Sequence, residues 1–336
     1  MSQLRSVDPE RLNKARRNLC SLFGIPSLRE HQEEAGQNLI RGINTMYDVP
    51  TGGGKTLAFY YPLFYHWEPG NIDSECQKII LVISPLTALM DSQAKDLLNR
   101  GIPAKALHGD NICIQQTGID SHAQAKYRMK YRVIFVSPEK VLSSEFHEKV
   151  LKNSVFRANC ISVVIDEGHC IVEWGPDFRN DYDQLAKLRG RIPSTIPILV
   201  ASATMPDDIR QSIQFKLGLG NDCIHVAVSN AKPNVALSVR ILQHPQNTYA
   251  DLMLLFPPLL NNVTDFPQTL IYVNHRQQAE EIQDFLRHHC PPGIPPEVFE
   301  FYHRSIDSGR KQAIQEGIQS GFYRCVIATD ALGMVC

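Results

Sequence analysis

The 336-residue chain lacks the features that mark membrane and secreted proteins. No run approaches the ~18 consecutive apolar residues that a membrane helix needs, and the apolar stretch LMLLFPPLL is short and broken by prolines. The charged N-terminal segment has no apolar core of the kind that signal peptides carry. These absences predict an intracellular protein that does not associate with membranes.

Paired cysteines and a strong charge bias are also missing. The nine cysteines occur singly, without a C-x-x-C pair, which favours reduced thiols and predicts no zinc site. The formal net charge of −1 gives no bulk signal for nucleic-acid binding. A local binding groove is still compatible with that balance, because recognition depends on where the charges lie.

The chain does contain a repeated alternation of apolar, β-branched runs with amphipathic, helix-like segments. The strand-like runs of the first part are INTMYDVP, KIILVISP, RVIFVSP, CISVVIDE, IPILVASAT and IHVAVSN. Near-continuous apolar runs of this kind are typical of parallel strands that are covered on both faces. Their alternation with helices predicts an α/β fold built on a parallel sheet.

A second, shorter series begins after the polar stretch SNAKPN. Its predicted strands are ALSVRIL, QTLIYVNH, VFEFYH and YRCVIATD, and HRQQAEEIQDFLRHHC and SGRKQAIQEGIQS are predicted to form helices between them. We therefore predict two α/β domains, at residues 1–228 and 229–336.

The segment DVPTGGGKT predicts a phosphate-binding loop between a strand and a helix. The loop consists of Thr51, Gly52, Gly53 and Gly54. Its glycines allow backbone N–H groups to surround phosphate oxygens at a helix N-terminus. Lys55 would reach the β- and γ-phosphates and the Thr56 hydroxyl would ligate Mg²⁺. The strict pattern G-x-x-x-x-G-K-[ST] places a glycine where this chain has Val49.

A second carboxylate-bearing segment, CISVVIDEGHC, supplies the other half of such a site. Its apolar strand ends on Asp166 and Glu167, at the end of the strand where ligands bind in parallel sheets. Asp166 would support Mg²⁺, and Glu167 would position or deprotonate an attacking water molecule. An acidic pair alone is often only a solvated helix start, so this interpretation depends on the glycine loop.

The four residues Asp-Glu-Gly-His are close to a D-E-x-H box, and here the sequence resembles a known family. The chain resembles superfamily 2 helicases, which commonly lack the first glycine of the loop, so Val49 fits that pattern. The following stretch, CIVEWGPDFRNDY, resembles the aromatic-rich loop of the RecQ family. The resemblance implies two RecA-like domains with ATP and Mg²⁺ as cofactors, and it adds His169 to the catalytic set.

The same resemblance assigns roles to polar residues in the other motifs. In the first domain Gln32 would recognise adenine with support from Arg29. Contacts to single-stranded DNA, or coupling of DNA to the ATP site, are implied for Ser84, Pro85, Ser137, Trp174, Phe178, Arg179, Ser202 and Thr204. In the second domain the corresponding residues are Asn274, Arg276, His303, Thr329 and Asp330.

Two departures from the RecQ pattern concern the end of the sequence. Val335 stands where the family has a second glycine, and the arginine-bearing motif VI does not follow within the 336 residues. We therefore expect the second RecA-like domain to be incomplete, truncated within motif V.

The resemblance implies an ATP-dependent DNA helicase of 3′ to 5′ polarity that acts on single-stranded and partly duplex DNA. It also implies a nuclear location if the source is eukaryotic, and no protein partner can be inferred. One alternative is a nucleotide-dependent DNA-binding module with weak or no catalysis. Another is an RNA helicase of the same superfamily, which the WGPDFRNDY loop disfavours.

Overall fold

The computed structural model describes residues 4–71, 77–109, 130–172, 184–256, 262–291 and 293–333. The chain divides into two compact units, Met1–Pro233 and Asn234–Cys336. This division is based on contacts within each unit. The functional domains predicted at residues 1–228 and 229–336 stay a prediction.

The first unit is built on a seven-stranded sheet in which every pair of neighbouring strands is parallel. The spatial order is β3-β4-β2-β5-β6-β1-β7. The strands are β1 Thr45–Asp48, β2 Ile79–Ile83, β3 Ala104–Leu107, β4 Val133–Val136, β5 Cys160–Ile165, β6 Ile198–Ser202 and β7 Ile224–Ala227.

Helices cover both faces of this sheet. They are α1 Pro9–Phe23, α2 Glu30–Arg41, α3 Lys55–His66, α4 Thr87–Asn99, α5 Pro138–Leu142, α6 Ser144–Phe146, α7 Ser154–Asn159, α8 Ala186–Arg189 and α9 Asp207–Lys216. A single π turn, His147–Leu151, follows α6.

Alternation along each strand sends apolar side chains into both layers. In β2, Ile80 and Val82 belong to the core under α1 to α4, whereas Ile79, Leu81 and Ile83 belong to the core under the later helices. All five side chains are fully or almost fully buried. This double burial explains why the strands are near-continuous apolar runs.

The second unit has a three-stranded parallel sheet of order β8-β10-β9. Its strands are β8 Thr269–Tyr272, β9 Phe299–Tyr302 and β10 Cys325–Ala328, and its helices are α10 Arg276–His289, α11 Ser308–Gln319 and the short α12 Asp330–Gly333. Helix α10 packs Ile282 and Leu286 on one face of the sheet, and α11 packs Ile314 on the other.

Most predicted strands and helices are present, but one predicted strand is wrong and one strand was missed. The segment ALSVRIL does not form a strand, and its alternating Leu237, Val239 and Ile241 are 85–98% exposed. An alternating apolar pattern yields a strand only where a neighbour supplies hydrogen bonds, and no described strand pairs with this segment. The missed strand, β3, lies at the sheet edge and contains Lys105, so its apolar signal is short.

None of the described helices combines the length and the apolar character needed to cross a bilayer.

A partly buried histidine in the first unit makes the stability of that unit depend on pH. His66 lies in the last turn of α3, beside Tyr65. Burial, reinforced by Arg11, Lys78 and Arg5, lowers the pKa of His66 to about 4. The unfolded chain therefore binds this proton more tightly than the folded chain between about pH 6.5 and 4, and stability falls as the pH falls through that window.

His66→Gln is expected to remove this source of acid sensitivity. Between pH 7 and 5 the wild-type protein should lose about 1–2 kcal/mol more unfolding free energy than the variant. Both tryptophans of the chain lie within the first 233 residues, so urea unfolding followed by tryptophan emission reports on that unit. Equal pH dependence in the two proteins would contradict the lowered pKa of the partly buried His66.

Candidate functional site

Parallel pairing brings five strand ends of the first unit to one edge of the sheet. In the spatial order β4-β2-β5-β6-β1, the residues at or just beyond these ends are Ser137, Ser84, Asp166, Ser202 and Val49. The glycine loop continues from β1 into α3 at the same edge. The catalytic and loop residues predicted from distant parts of the sequence are therefore neighbours.

The glycine loop has a backbone shape that excludes side chains at several positions. Gly52 and Gly54 have φ values of 79° and 76°, in the left-handed region that disfavours residues with a Cβ. A Cβ on Gly53 would lie 2.4 Å from Val49 Cγ1 and 2.8 Å from the Pro50 carbonyl oxygen. Val49 is itself completely buried in the core of the first unit, and its side chain occupies the space next to Gly53.

Two residues at the start of α2 hold the loop by its carbonyl groups. Gln32 Nε2 donates to Gly54 O at 2.9 Å, and Arg29 Nη1 donates to Gly53 O at 3.0 Å. Gln32 Oε1 accepts from the Arg29 backbone N–H at 2.8 Å, which ties the Gln32 side chain to the Arg29 backbone. The sequence assigned both residues to adenine recognition, and this support of the loop was not foreseen.

The loop leaves its polar side chains near the helix N-terminus. Lys55, the first residue of α3, donates from Nζ to Val49 O at 3.0 Å. Thr56 follows it on α3 and is half-buried, whereas Thr51 at the other end of the loop is exposed. The Lys55 ammonium group, predicted to contact phosphate, and the Thr56 hydroxyl, predicted to ligate the metal, thus belong to the first two residues of α3.

Asp166 carries a carboxylate in an enclosed position at the end of β5. Its backbone N–H donates to Ile83 O at 2.8 Å, and the residue is only 7% exposed. Burial and the neighbouring Glu167 carboxylate raise the pKa of Asp166 to about 7, against the opposing effect of Lys55. This carboxylate therefore lies where a cation would stabilise its ionised form.

Glu167 and the glycine after it adopt a constrained turn. Glu167 has φ 52°, a left-handed conformation that costs a non-glycine residue on the order of 1–3 kcal/mol. A Cβ on Gly168 would lie 2.2 Å from Val200 Cγ1, so this position requires glycine. The sequence interpretation did not single out Gly168, although a glycine inside the acidic box was the available signal.

His169 links this turn to the end of β6. Ser202 Oγ donates to Thr204 O at 2.8 Å, so the proton between Ser202 Oγ and His169 Nδ1, 2.9 Å apart, belongs to the histidine. Glu167 Oε2 lies 3.4 Å from the same Nδ1. A polar connection therefore runs from Glu167 through His169 to Ser202 and Thr204.

The other residues assigned to the first unit are less accessible or fall outside the described ranges. Ser84 is 1% exposed, with no hydrogen-bond partner for its Oγ among the described residues, and Ser137 is 5% exposed at the start of α5. Pro85 is partly exposed. The predictions for Trp174, Phe178 and Arg179 lie outside the described residues.

Comparison with known proteins identifies the family. Residues 29–212, more than half of the chain, match the model of the DEAD/DEAH box helicase family. The chain belongs to this helicase family. Its match begins at Arg29 and includes the glycine loop, Asp166, Glu167, His169 and the Ser202–Thr204 segment.

The helicase chain has RecQ-type relatives along nearly its whole length. It is 30% identical to the ATP-dependent DNA helicase hus2/rqh1 of Schizosaccharomyces pombe over 93% of this chain and 22% of that protein. It is 28% identical to the ATP-dependent DNA helicase RecQ of Pasteurella multocida over 94% of this chain and 45% of that protein. The predicted RecQ-like helicase core is confirmed, and the chain spans less than half the length of these two relatives.

A solved helicase structure shares the fold. The crystal structure of the DUF1998 helicase MrfA bound to DNA and AMPPNP superposes with a TM-score of 0.66 at 18% identity, covering 99% of this chain and 46% of that one. This likeness confirms the predicted α/β architecture of RecA-like units.

In the second unit, the residues assigned to DNA contact gather around one concavity. The cavity, of about 500 Å³, is lined by Asn274, His275, Arg276, Gln277, His303, Arg304, Ser305 and Thr329. Asp330 is the first residue of α12. The structure brings four of the five predicted residues of this unit to one surface.

Replacing the enclosed carboxylate of the helicase chain is expected to stabilise it. Asp166→Asn should raise the unfolding free energy of the ligand-free protein by about 1–3 kcal/mol, because a neutral amide removes the cost of a buried charge beside Glu167. Denaturant unfolding at pH 8 measures this difference. The exposed Asp208→Asn control should change stability by less than about 0.5 kcal/mol. A destabilised Asp166→Asn protein would contradict this account of the site.

Proposed function

We propose that this chain binds ATP·Mg²⁺ at the glycine-loop edge of the first unit and couples ATP hydrolysis to movement along DNA. The observation that carries the proposal is the convergence of the loop, Lys55, Asp166 and Glu167 at one sheet edge. The printed names of the fission-yeast and Pasteurella relatives, both ATP-dependent DNA helicases, support it.

The loop fits the phosphate groups of a nucleotide. Its left-handed glycines and the crowded Gly53 leave backbone instead of side chains at the N-terminus of α3. Backbone N–H groups at a helix N-terminus favour an anion, and Lys55 adds a full positive charge. The loop and Lys55 would therefore hold the phosphates, and Gln32 and Arg29 keep the loop in shape.

The oxygen atoms near Lys55 fit a magnesium ion. Thr56 and Asp166 offer a hydroxyl and a carboxylate, the ligand types that Mg²⁺ prefers. A cation there would offset the repulsion between the Asp166 and Glu167 carboxylates and add to the effect of Lys55. Bound ATP·Mg²⁺ would supply the phosphoanhydride bond whose hydrolysis releases free energy.

Glu167 is the proposed proton acceptor. Its side chain is partly exposed and its carboxylate would accept a proton from the attacking water. Because Glu167 contacts His169, which hydrogen-bonds to Ser202, a change at the carboxylate reaches the backbone at Thr204. This connection is the proposed path from hydrolysis to conformational change.

The finer properties of the reaction rest on the RecQ resemblance. Single-stranded DNA translocation, unwinding of partly duplex DNA and 3′ to 5′ polarity belong to this proposal. Trp174, Phe178 and Arg179 would stack on or contact the DNA bases, since aromatic faces accept any base. The cleft of the second unit would contact the phosphodiester backbone.

Gly53→Ala is expected to weaken nucleotide binding at least tenfold. The added methyl group has no space beside Val49 and Pro50, so the loop must shift away from its phosphate-binding shape. Titration with a fluorescent ATP analogue measures the dissociation constant. The matched control is Gly190→Ala, where the nearest atom to the new Cβ is 3.7 Å away and binding should be unchanged. Wild-type affinity in Gly53→Ala would contradict the role of the loop.

Glu167→Gln is expected to abolish turnover and to leave nucleotide binding within about threefold of wild type, because the amide cannot accept the proton. ATPase assays with DNA and with RNA oligonucleotides test both catalysis and polymer preference. DNA-stimulated turnover in the wild-type chain that is lost in the variant supports the helicase proposal. Binding without turnover in both proteins supports the DNA-binding module, and stronger stimulation by RNA supports the RNA helicase.

A further inference from the structure

A buried histidine in the second unit is held in one protonation pattern. His303 follows β9, and its side chain is 8% exposed. The Ser305 backbone N–H donates to His303 Nδ1 at 3.2 Å, so this nitrogen carries no proton. The ring proton is therefore on Nε2, which donates to Glu280 Oε1 at 3.0 Å.

Stacked side chains fix the plane of the same ring. His303 stacks on Phe301 with a centroid distance of 5.1 Å and an interplanar angle of 16°. The Arg310 guanidinium lies 4.6 Å from the centre of the Phe301 ring, and it also donates to Glu300 at 2.8 Å. These contacts set the plane of the imidazole, but stacking does not distinguish one ring flip or tautomer from the other. Two hydrogen bonds make that distinction together, one from the Ser305 N–H to Nδ1 and one from Nε2–H to Glu280.

The orientation of His303 determines the shape of the adjacent loop. With Nδ1 as an acceptor, the ring holds the Ser305 backbone, and Ser305 Oγ then accepts from Arg276 Nη1 at 3.0 Å. Arg276 and Glu280 are four residues apart on α10, so both reach the loop from one face of the helix. One helix therefore anchors the loop at two points.

The anchored loop forms one wall of the 500 Å³ cleft described above. Among the side chains that the structure describes, the lining of the cleft includes Arg276 and Arg304 and no carboxylate, which suits an anion. Glu280 is not among them, although its side chain is about half exposed. Its carboxylate contacts His303, which does line the cleft.

We propose that Glu280 is a positioning residue, which holds His303 in the Nε2–H tautomer and thereby arranges the Arg276–Ser305 wall of the cleft to receive a phosphate group. This proposal rests on the proposed nucleic-acid function in one respect only, namely which molecule supplies the phosphate group. A phosphodiester of DNA and a phosphate of a nucleotide share the same chemistry, so the two sources are separated by experiment.

Substitutions of Glu280 distinguish positioning from simple electrostatics. Glu280→Gln keeps an acceptor oxygen for Nε2–H, whereas Glu280→Ala removes it. Both variants remove one negative charge near the cleft, so electrostatics alone predicts tighter phosphate binding in both. The positioning role predicts that Glu280→Ala weakens phosphate binding about five- to tenfold. It predicts that the affinity of Glu280→Gln stays within about twofold of wild type.

The binding arm uses the full chain with a fluorescein-labelled dT20 oligonucleotide and, separately, a fluorescent ATP analogue. The matched control is Glu316→Ala, an exposed carboxylate of the same unit on α11 that accepts from Gln312. This control should bind as tightly as wild type or slightly more tightly. Weakening by Glu280→Ala in the oligonucleotide titration identifies a phosphodiester, and weakening in the ATP titration identifies a nucleotide phosphate.

A second arm does not depend on ligand binding. Nitrogen-15 NMR of histidine-labelled protein distinguishes the two imidazole tautomers, and the His303 signals are assigned by their loss in His303→Gln. Wild type and Glu280→Gln should show the Nε2–H tautomer, and Glu280→Ala should show a mixture. If no protein binds either ligand, the proposed function fails, while the tautomer result still decides the role of Glu280. A pure Nε2–H tautomer in Glu280→Ala, or tighter binding by that variant, overturns the positioning role.

Discussion

Parallel pairing of the seven strands is the constraint on which the rest of the first unit depends. It brings the ends of β4, β2, β5, β6 and β1 to one edge, and it forces helices onto both faces. The glycine loop, the acidic pair and the Ser202–Thr204 segment come from positions far apart in the sequence. They become one site because the strands that precede them lie side by side in the same direction.

Charge placement at this edge departs from what stability alone would select. Asp166 is enclosed next to a second carboxylate, and Glu167 holds a left-handed backbone conformation. Both features cost free energy in the protein without ligand, and the surrounding packing maintains them. The second unit shows the opposite arrangement, because His303 there has a hydrogen-bond partner on each ring nitrogen and Arg310 is paired with Glu300. Under the proposed function, the first edge receives a cation with its anionic ligand, whereas the side chains around the second cleft are already paired with one another.

Much of this molecule followed from local sequence patterns, and the failures have identifiable causes. Apolar runs predicted six of the seven strands of the large sheet, because a strand that is buried on both faces has few polar positions. The segment ALSVRIL has an equally clear alternation and forms no strand, since pairing needs a neighbour that the pattern does not specify. Strand β3, with a short signal at the sheet edge, was missed for the converse reason.

The sequence by itself determined the chemistry of the candidate site: glycines for close approach, a lysine, a hydroxyl and two carboxylates, together with the helicase family that these motifs identify. Local motifs carry this information because each requires particular residue types within a few positions. Only the tertiary structure decided that Gln32 and Arg29 support the loop, that Gly168 has no room for a side chain, and that Glu280 reaches His303. These facts depend on distances between residues that are remote in sequence, which no local pattern encodes.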